Sequence, residues 1–154
     1  MTSIRKRAPA ASSPTVRKVM QANVGRTTAI EARLQMALKA RRLKFSVDAP
    51  IEPDLRWKAD VVFARKKVCV FIDGCFWHGC PVHFRIPRAN AVWWTEKIQA
   101  NIDRDLRQNA KLTERGWRVV RIWEHDLDAD FGECVRRLLR TITTGLATPT
   151  KSRD

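Results

Sequence analysis

The sequence is organised around residues 70–84, which read Val70-Phe71-Ile72-Asp73-Gly74-Cys75-Phe76-Trp77-His78-Gly79-Cys80-Pro81-Val82-His83-Phe84. The stretch begins as an apolar run typical of a buried strand and ends in a cluster of cysteines, histidines and aromatic residues. Few hydrophobic cores need that mixture of side chains. The stretch therefore indicates a functional centre joined directly to the core.

Three zinc-type ligands, Cys75, Cys80 and His83, stand close together in this stretch. A structural zinc site needs four ligands in a tetrahedron, and His78 and His125 are the two candidates for the fourth. We favour His125, because a ligand from far along the chain closes a long loop and couples metal binding to folding. The alternative is that the cysteines are ordinary small core residues.

The composition indicates a folded, basic protein with a polyanionic partner. The chain has 154 residues, of which 44% are hydrophobic, and a formal net charge of +14 at pH 7. A charge of this size attracts nucleic acid over long range. Because no apolar run approaches the length of a spanning helix and no signal peptide is apparent, we expect a cytoplasmic protein with no membrane partner.

The first 26 residues are basic and contain no acidic residue. Their Pro, Ser, Ala and Thr content is too poor in large apolar side chains to build a core. We predict a flexible arm over residues 1–26 that either lies along DNA through Arg17, Lys18 and Arg26 or has no role.

The folded domain is predicted over residues 27–145, followed by a disordered tail over residues 146–154. Its elements are a helix from an N-cap at Thr28 to Arg42, strands over residues 43–47, 59–64, 68–72 and 117–123, a long helix over residues 92–115 and a helix over residues 131–142. This order indicates an α/β domain with a mixed sheet flanked by helices.

The long helix carries two stripes in steps of four residues. The apolar stripe, which we expect to be buried, comprises Trp94, Ile98, Ile102, Leu106 and Ala110. The adjacent polar stripe comprises Lys97, Asn101 and Asp105. We predict that Lys97 and Asn101 contact DNA.

Asp60 begins a strand that is otherwise apolar. A buried carboxylate must be paired, hydrogen-bonded or bound to metal, so Asp60 is the candidate magnesium ligand. Asp73 ends the neighbouring strand, and hairpin pairing would bring it towards Asp60. Glu31 and Asp105 are further candidates for acids around the metal. Helix capping or a surface ion pair explains Asp73, Glu31 and Asp105 nearly as well.

If His125 completes the zinc site, His78 is free for chemistry. A neutral imidazole beside a phosphate is suited to act as a general base, and an ordinary hydrogen-bonded surface histidine is the equal alternative. Phe76-Trp77 and Trp93-Trp94 form two aromatic pairs near basic residues, and aromatic side chains can wedge between base steps. We expect one member of each pair to be core and the other to reach outwards.

These motifs resemble, in order, those of the very-short-patch repair (Vsr) endonucleases from about residue 21 to residue 125. The resemblance rests on Thr28-Ala29-Ile30-Glu31, Ala59-Asp60, Gly74-Cys75-Phe76-Trp77-His78, Trp94-x-Glu96-Lys97-Ile98-x2-Asn101-x3-Asp105, Gly116-Trp117-Arg118-Val119 and Trp123-Glu124. It implies a fold related to the type II restriction endonucleases. It also implies a magnesium-dependent nick 5′ to the thymine of a T:G mismatch.

The resemblance implies roles for the acids and for one histidine. Asp60 resembles the metal-binding aspartate, His78 the histidine that activates water, and Glu31 and Asp105 the acids that hold metal-bound water. The sequence departs from the best-known members at Ile72-Asp73, which stands where they have Thr-His. The backbone carbonyl of Ile72 can still bind magnesium, whereas Asp73 adds a negative charge that either binds metal or weakens phosphate affinity.

Two further groups are implied by the same resemblance. Cys75, Cys80, His83 and His125 fall at the positions where the family holds structural zinc. At several of these positions this sequence has Cys where the family has His, or the reverse. The aromatics that intercalate next to the mismatch are matched by Phe76, Trp77 and Trp94.

We therefore predict a monomeric, nucleoid-associated DNA nickase with catalytic Mg²⁺ and structural Zn²⁺ that acts on mismatched or distorted double-stranded DNA. Two alternatives remain open from the sequence. One is a related nickase that acts in restriction or defence with altered specificity. The other is a non-catalytic DNA-binding module stapled by zinc.

Overall fold

The structure, a computed structural model, describes residue 10 and residues 14–144. The elements are α1 (Pro14–Ala40), β1 (Ser46–Pro50), β2 (Lys58–Phe63), a 3-10 turn (Ala64–Lys66), β3 (Val68–Asp73), α2 (Ala91–Glu114), β4 (Arg118–Trp123), α3 (Glu124–Ala129) and α4 (Phe131–Thr144). Within these residues, no helix combines the length and apolarity that a bilayer crossing requires.

The four strands form one mixed sheet in the order β1-β2-β3-β4. β2 pairs antiparallel with β1 and with β3, as the short connection between the two apolar runs predicts. β4 pairs parallel with β3, so that Asp73 lies opposite Trp123, and α2 provides the crossover that a parallel pair needs. The predicted α/β architecture with a mixed sheet is confirmed.

β3 is the centre of the fold, because every one of its residues is buried. Val68, Val70 and Ile72 enter one hydrophobic core together with residues of α1 and α4. The alternate residues Cys69 and Phe71 enter a second core that contains Leu112 and Trp117. The period-two alternation of a strand thus feeds both faces of the sheet, and the apolar character of β3 follows from this double burial.

α1 begins at Pro14 and not at Thr28, so the prediction of an N-cap at Thr28 is wrong. Thr28 lies inside the helix, because residues 15–27 are mostly acceptable helix formers and Pro14 stands at the first helical position, where proline is tolerated. Residues 14–26 of the predicted arm are therefore helical. Residues 1–9 and 11–13 of that arm, and the predicted tail over residues 146–154, lie outside the described residues.

The buried face of α2 differs from the predicted one. The buried residues are Trp94, Ile98, Asn101, Asp105, Gln108 and Leu112, whereas Leu106 is 52% exposed. A step of four residues advances by about 400° in a helix of 3.6 residues per turn, so a stripe in steps of four drifts by about 40° at each step. The true face alternates steps of four and three, and it brings three polar side chains against the sheet.

Two smaller boundaries also differ. β1 covers Ser46–Pro50 and not residues 43–47, and Pro50 is tolerated because β1 is an edge strand. The segment after β4 is a short helix, α3, so His125 lies in a first helical turn.

The loop after β3 packs onto α2 through Gly79. This residue has a φ of +62°, and a Cβ added to it would lie 2.9 Å from Cδ1 of Ile102 and 3.0 Å from Cγ2 of Ile98. Both the backbone conformation and the close approach therefore require glycine.

Gly79→Ala is expected to lower the free energy of unfolding by about 2–4 kcal/mol, the sum of left-handed backbone strain and overpacking against α2. Gly116→Ala is the matched control, because Gly116 also has a positive φ, +81°, but no atom lies within 4 Å of its added Cβ. It should lose about 1 kcal/mol. Urea denaturation of both variants measures the difference, and equal losses would contradict the close packing at Gly79.

Candidate active site

A histidine and a buried carboxylate form the centre of the site. Nδ1 of His78, in the loop after β3, lies 2.6 Å from Oδ2 of Asp105 on α2. The Asp105 side chain is 3% exposed and the His78 side chain 21% exposed. Because Nδ1 is bound to the carboxylate, Nε2 is the ring nitrogen available for chemistry.

Asp105 is held in its ionised form. Burial opposes ionisation, but the hydrogen bond from His78 and the charge of Arg121 outweigh it and lower the pKa of Asp105 to about 2. A carboxylate of this kind orients the imidazole and stabilises the imidazolium that forms when the histidine accepts a proton.

A second buried carboxylate, Asp73, is neutralised by Arg121 of β4. Nη1 of Arg121 lies 2.9 Å and 3.1 Å from the two oxygens of Asp73, and the two side chains are 5% and 2% exposed. Asp73 also lies 3.6 Å from Nδ1 of His78. Ligand atoms of Asp73, His78 and Asp105 all lie within 4.8 Å of one another.

Sequence reasoning missed Arg121, although a signal was present. The guanidinium also donates to Oε1 of Gln108 at 2.5 Å and to Oδ1 of Asn109 at 2.9 Å, and it lies 4.4 Å from the centroid of the Phe71 ring. An arginine in the middle of an apolar strand must find a buried partner. Arg121 in β4 thus stands out by its charge in the same way as Asp60 in β2.

Asp60 ties β2 to β3 at the edge of this centre. Its Oδ2 accepts a hydrogen bond of 2.6 Å from the backbone N–H of Ile72. Burial and the charge of Asp73 raise the pKa of Asp60, against the lowering effects of the Ile72 hydrogen bond and of His78. Asp60 and Asp73 are thus close enough to interact, as the hairpin pairing predicts.

Glu31 of α1 extends the line of acids. Its pKa is raised by burial and by the charges of Asp60 and Asp48. Carboxylates that raise one another's pKa in a partly buried site create a place where a divalent cation is favourable, since the cation offsets their repulsion. Asp60 and Glu31 thus offer carboxylate oxygens, the ligand type that a hard metal ion takes.

The four predicted zinc ligands converge at the other end of the loop. Ligand atoms of Cys75, Cys80, His83 and His125 lie within 4.8 Å of one another. Nδ1 of His125 is 3.1 Å and 3.6 Å from the two sulfurs, and Nδ1 of His83 is 3.9 Å and 3.7 Å from them. Zinc bond lengths and tetrahedral angles require a sulfur–nitrogen separation of about 3.5 Å, so this cluster fits zinc.

The cluster takes His125 and leaves out His78, whose Nδ1 is bound to Asp105. Burial and the neighbouring Cys80 sulfur raise the pKa of Cys75 to about 12. A cation among the four ligands would reverse this effect, because it favours the thiolate form.

The aromatic residues form one cluster around Phe76. Its ring centroid lies 5.2 Å from Trp77, 5.1 Å from Trp94 and 5.6 Å from Phe84. Trp94 is 8% exposed, whereas Trp77 is 36% exposed. In this conformation Trp77 can reach a ligand and Trp94 cannot, because the true inward face of α2 includes Trp94.

The residues predicted to bind DNA differ in their exposure to solvent. Arg17, Lys18 and Lys97 are exposed, and Arg26 lies within α1. Asn101 is buried, and its amide donates to the backbone oxygen of Trp77 at 2.9 Å. The amide of Asn101 therefore holds the loop onto α2, and a contact of this residue with DNA stays a prediction.

A model of the family described as DNA mismatch endonuclease Vsr matches residues 12–83. The DNA mismatch endonuclease Vsr of Escherichia coli (strain K12) is 38% identical over 108 residues, which cover 70% of this chain and 67% of that protein. The chain belongs to the Vsr family.

Two further relatives of this Vsr-family chain are named as nicking enzymes. Type II nicking enzyme V.NaeI of Lentzea aerocolonigenes is 44% identical over 109 residues, which cover 70% of this chain and 66% of the relative. Type II nicking enzyme V.NmeDIP of Neisseria meningitidis serogroup C is 31% identical over 128 residues, which cover 82% and 84%. The Vsr-family chain thus spans just under two thirds of the length of V.NaeI.

Arg121→Leu is expected to lower the free energy of unfolding by about 3–5 kcal/mol, because it leaves Asp73 buried without its counter-charge. The double variant Asp73→Asn with Arg121→Leu should recover part of this loss. Urea denaturation measures both.

Arg140→Leu is the matched control for this change. Arg140 forms an ion pair with Glu133 in which the side chains are 61% and 40% exposed, and exposed pairs contribute at most about 1 kcal/mol. A loss in Arg121→Leu no larger than that of Arg140→Leu would contradict the role assigned to the buried pair.

Proposed function

We propose that this Vsr-family protein is a DNA-nicking endonuclease that hydrolyses a phosphodiester bond with Mg²⁺. The observation that carries the proposal is the contact between His78 and Asp105, which fixes an imidazole beside the acid Asp73. The names of the relatives, mismatch endonuclease and nicking enzymes, support the same reaction class. The net charge of +14 supports a DNA substrate.

In the proposed reaction, Nε2 of His78 removes a proton from the water that attacks phosphorus. Asp105 holds the ring in the required tautomer through Nδ1 and stabilises the imidazolium. Its hydrogen bond to His78 favours this orienting role over that of a ligand to metal-bound water.

Asp60 and the backbone carbonyl of Ile72 would hold magnesium, with Glu31 as an outer acid. When bound, the metal stabilises negative charge on the phosphate and on the leaving oxygen. The hydrogen bond from Ile72 N–H to Asp60 supports this placement, because it fixes the two groups against each other.

Asp73 is proposed to act as a charge partner and not as a metal ligand. The buried Arg121 guanidinium cancels its charge, so the aspartate does not repel the substrate phosphate as a free carboxylate would. This pairing explains how the site tolerates an acid at the position where the best-known family members have histidine.

Zinc at Cys75, Cys80, His83 and His125 is proposed to be structural. The four ligands leave no open position for a substrate in a tetrahedral site. The zinc ion would hold the loop that carries His78 against α3. Trp77 on the same loop is proposed to insert beside a distorted base pair.

The proposed substrate is a T:G mismatch in double-stranded DNA, cut 5′ to the thymine by a monomer in very short patch repair. The second candidate is a nickase that accompanies a restriction system, which the relatives named as Type II nicking enzymes favour. Labelled duplexes with a T:G pair, a methylated C:G pair and a plain C:G pair, incubated side by side, separate the two.

His78→Ala and Asp60→Ala are each expected to reduce the rate of nicking of the T:G duplex by at least about 100-fold. His78→Ala removes the general base, which is worth roughly that much, and Asp60→Ala removes the proposed magnesium ligand. The measurement is single-turnover nicking with Mg²⁺, and an EDTA control should abolish it. Glu133→Gln on the exposed face of α4 is the control variant and should nick at the normal rate. A His78→Ala protein that nicks normally would rule out the proposed base.

Metal analysis tests the zinc cluster separately. Purified protein should contain about one zinc ion per chain, and Cys80→Ser should lose it together with part of its thermal stability, because metal binding is coupled to folding. Cys134→Ser is the matched control, since Cys134 is also buried but lies outside the cluster. Retention of zinc by Cys80→Ser would contradict the assignment.

A further inference from the structure

A cavity of about 260 Å³ lies beside His78. One wall is formed by His78 and Asp105, and the rim carries Arg56, Lys58 and Arg104. The remaining lining residues are Trp57, Phe71, Gln108 and Arg121. The cavity thus places three basic side chains around the histidine proposed to activate water.

The three basic residues come from two parts of the fold. Arg56 lies in the loop after β1, Lys58 is the first residue of β2, and Arg104 is on α2. All three residues are exposed. Two distant parts of the chain thus bring basic side chains to one concave surface, which differs from a charged face of one helix.

Two of these cations have partners that leave them available to a ligand. Lys58 pairs with Asp48 at 3.1 Å, but the side chains are 55% and 82% exposed, and pairs in water are weak. Arg104 donates one hydrogen bond of 3.1 Å to Asp105 while its side chain remains 49% exposed. Its other guanidinium N–H groups can therefore bind a second acceptor.

Arg121, which also lines the cavity, is not free to bind a ligand. Its guanidinium is engaged by Asp73, Gln108 and Asn109. An anion in the cavity would thus be held by the rim and not by Arg121, whose charge is already balanced by Asp73.

Acidic side chains also lie around this site. Burial and the charge of Asp73 raise the pKa of Asp60, and burial and the charge of Asp60 raise the pKa of Glu31. A DNA strand that enters the site therefore meets repulsion from these acids. A basic rim next to the histidine offsets that repulsion for a neighbouring phosphate.

We propose that this cavity binds the phosphate of a nucleotide adjacent to the scissile phosphodiester, through Arg56, Lys58 and Arg104. The proposal rests on the nicking function proposed above and adds a second phosphate site to it. By holding the neighbouring phosphate, the cavity positions the scissile group against Nε2 of His78. These three side chains are positioning residues, because they do not touch the reacting atoms.

The test is a scan with neutral phosphates. In a series of T:G duplexes, each phosphate on either side of the mismatched thymidine is replaced in turn by an uncharged methylphosphonate. Equilibrium binding is measured by fluorescence anisotropy in EDTA, so that the readout does not depend on cleavage. The wild-type protein should lose roughly tenfold in affinity at one flanking position, as expected for loss of a charged hydrogen bond.

The double variant Arg56→Gln with Lys58→Gln identifies the protein side of this contact. It leaves Arg104 in place, because Arg104 also bonds Asp105. The variant should bind the unmodified duplex more weakly and should show almost no further loss with the flanking methylphosphonate. The slope of log affinity against log salt should also fall by about 1 to 2.

The double variant Arg137→Gln with Arg140→Gln is the matched control, because it also removes two positive charges. Both arginines are exposed on α4, which packs on the other face of the sheet from Phe71 and Leu112. This variant should keep the wild-type response at every methylphosphonate position. If its response changed like that of the double variant of Arg56 and Lys58, the effect would be one of overall charge and the proposal would be overturned.

Two further outcomes overturn the proposal, and both can be told apart from a failure of the nicking function. If no flanking methylphosphonate weakens binding of the wild-type protein, the cavity does not bind a flanking phosphate. If the double variant of Arg56 and Lys58 responds to the methylphosphonates like the wild-type protein, these two residues do not form the contact. Either result overturns the proposal even if the protein nicks DNA. If the protein does not nick but the coupling between cavity and phosphate is present, the phosphate contact stands and the proposed reaction fails.

Discussion

The buried ion pair between Arg121 and Asp73 is the interaction on which the rest of the site depends. It joins β4 to the end of β3, and Gln108 and Asn109 extend it to α2. A buried charge is tolerated only when its partner and its hydrogen bonds are present. The pair therefore fixes the distance between the sheet and α2, and that distance brings Asp105 to His78.

The loop after β3 is fixed at both ends by different chemistry. At its start, the backbone N–H of Cys75 donates to Glu124 of α3 at 2.8 Å, and the Cys/His cluster gathers on the same side. Towards α2, Asn101 binds the Trp77 oxygen, and Gly79 permits close contact with Ile98 and Ile102. His78 lies between these anchors, so the imidazole is held in place before any substrate arrives.

Much of the fold and of the candidate site was predictable from the sequence. The apolar runs around β2 and β3 define the hairpin, and the Cys/His spacing identifies Cys75, Cys80 and His83 as one group. The acid in β2 and the histidine after β3 stand out because neither suits a buried strand and its turn without a partner. The start of α1 was not predictable from Thr28 and Glu31, because a capping pattern can also occur inside a helix.

The sequence by itself determined the mixed sheet and the set of residue types gathered at one end of β3. Only the tertiary structure decided their pairing: Asp105 with His78, Asp73 with Arg121, Asn101 with the loop, and Arg56, Lys58 and Arg104 around one cavity. The physical reason is that strand periodicity is read locally with a period of two. The inward face of a long helix instead depends on a phase that accumulates with every turn and is fixed by what the helix packs against.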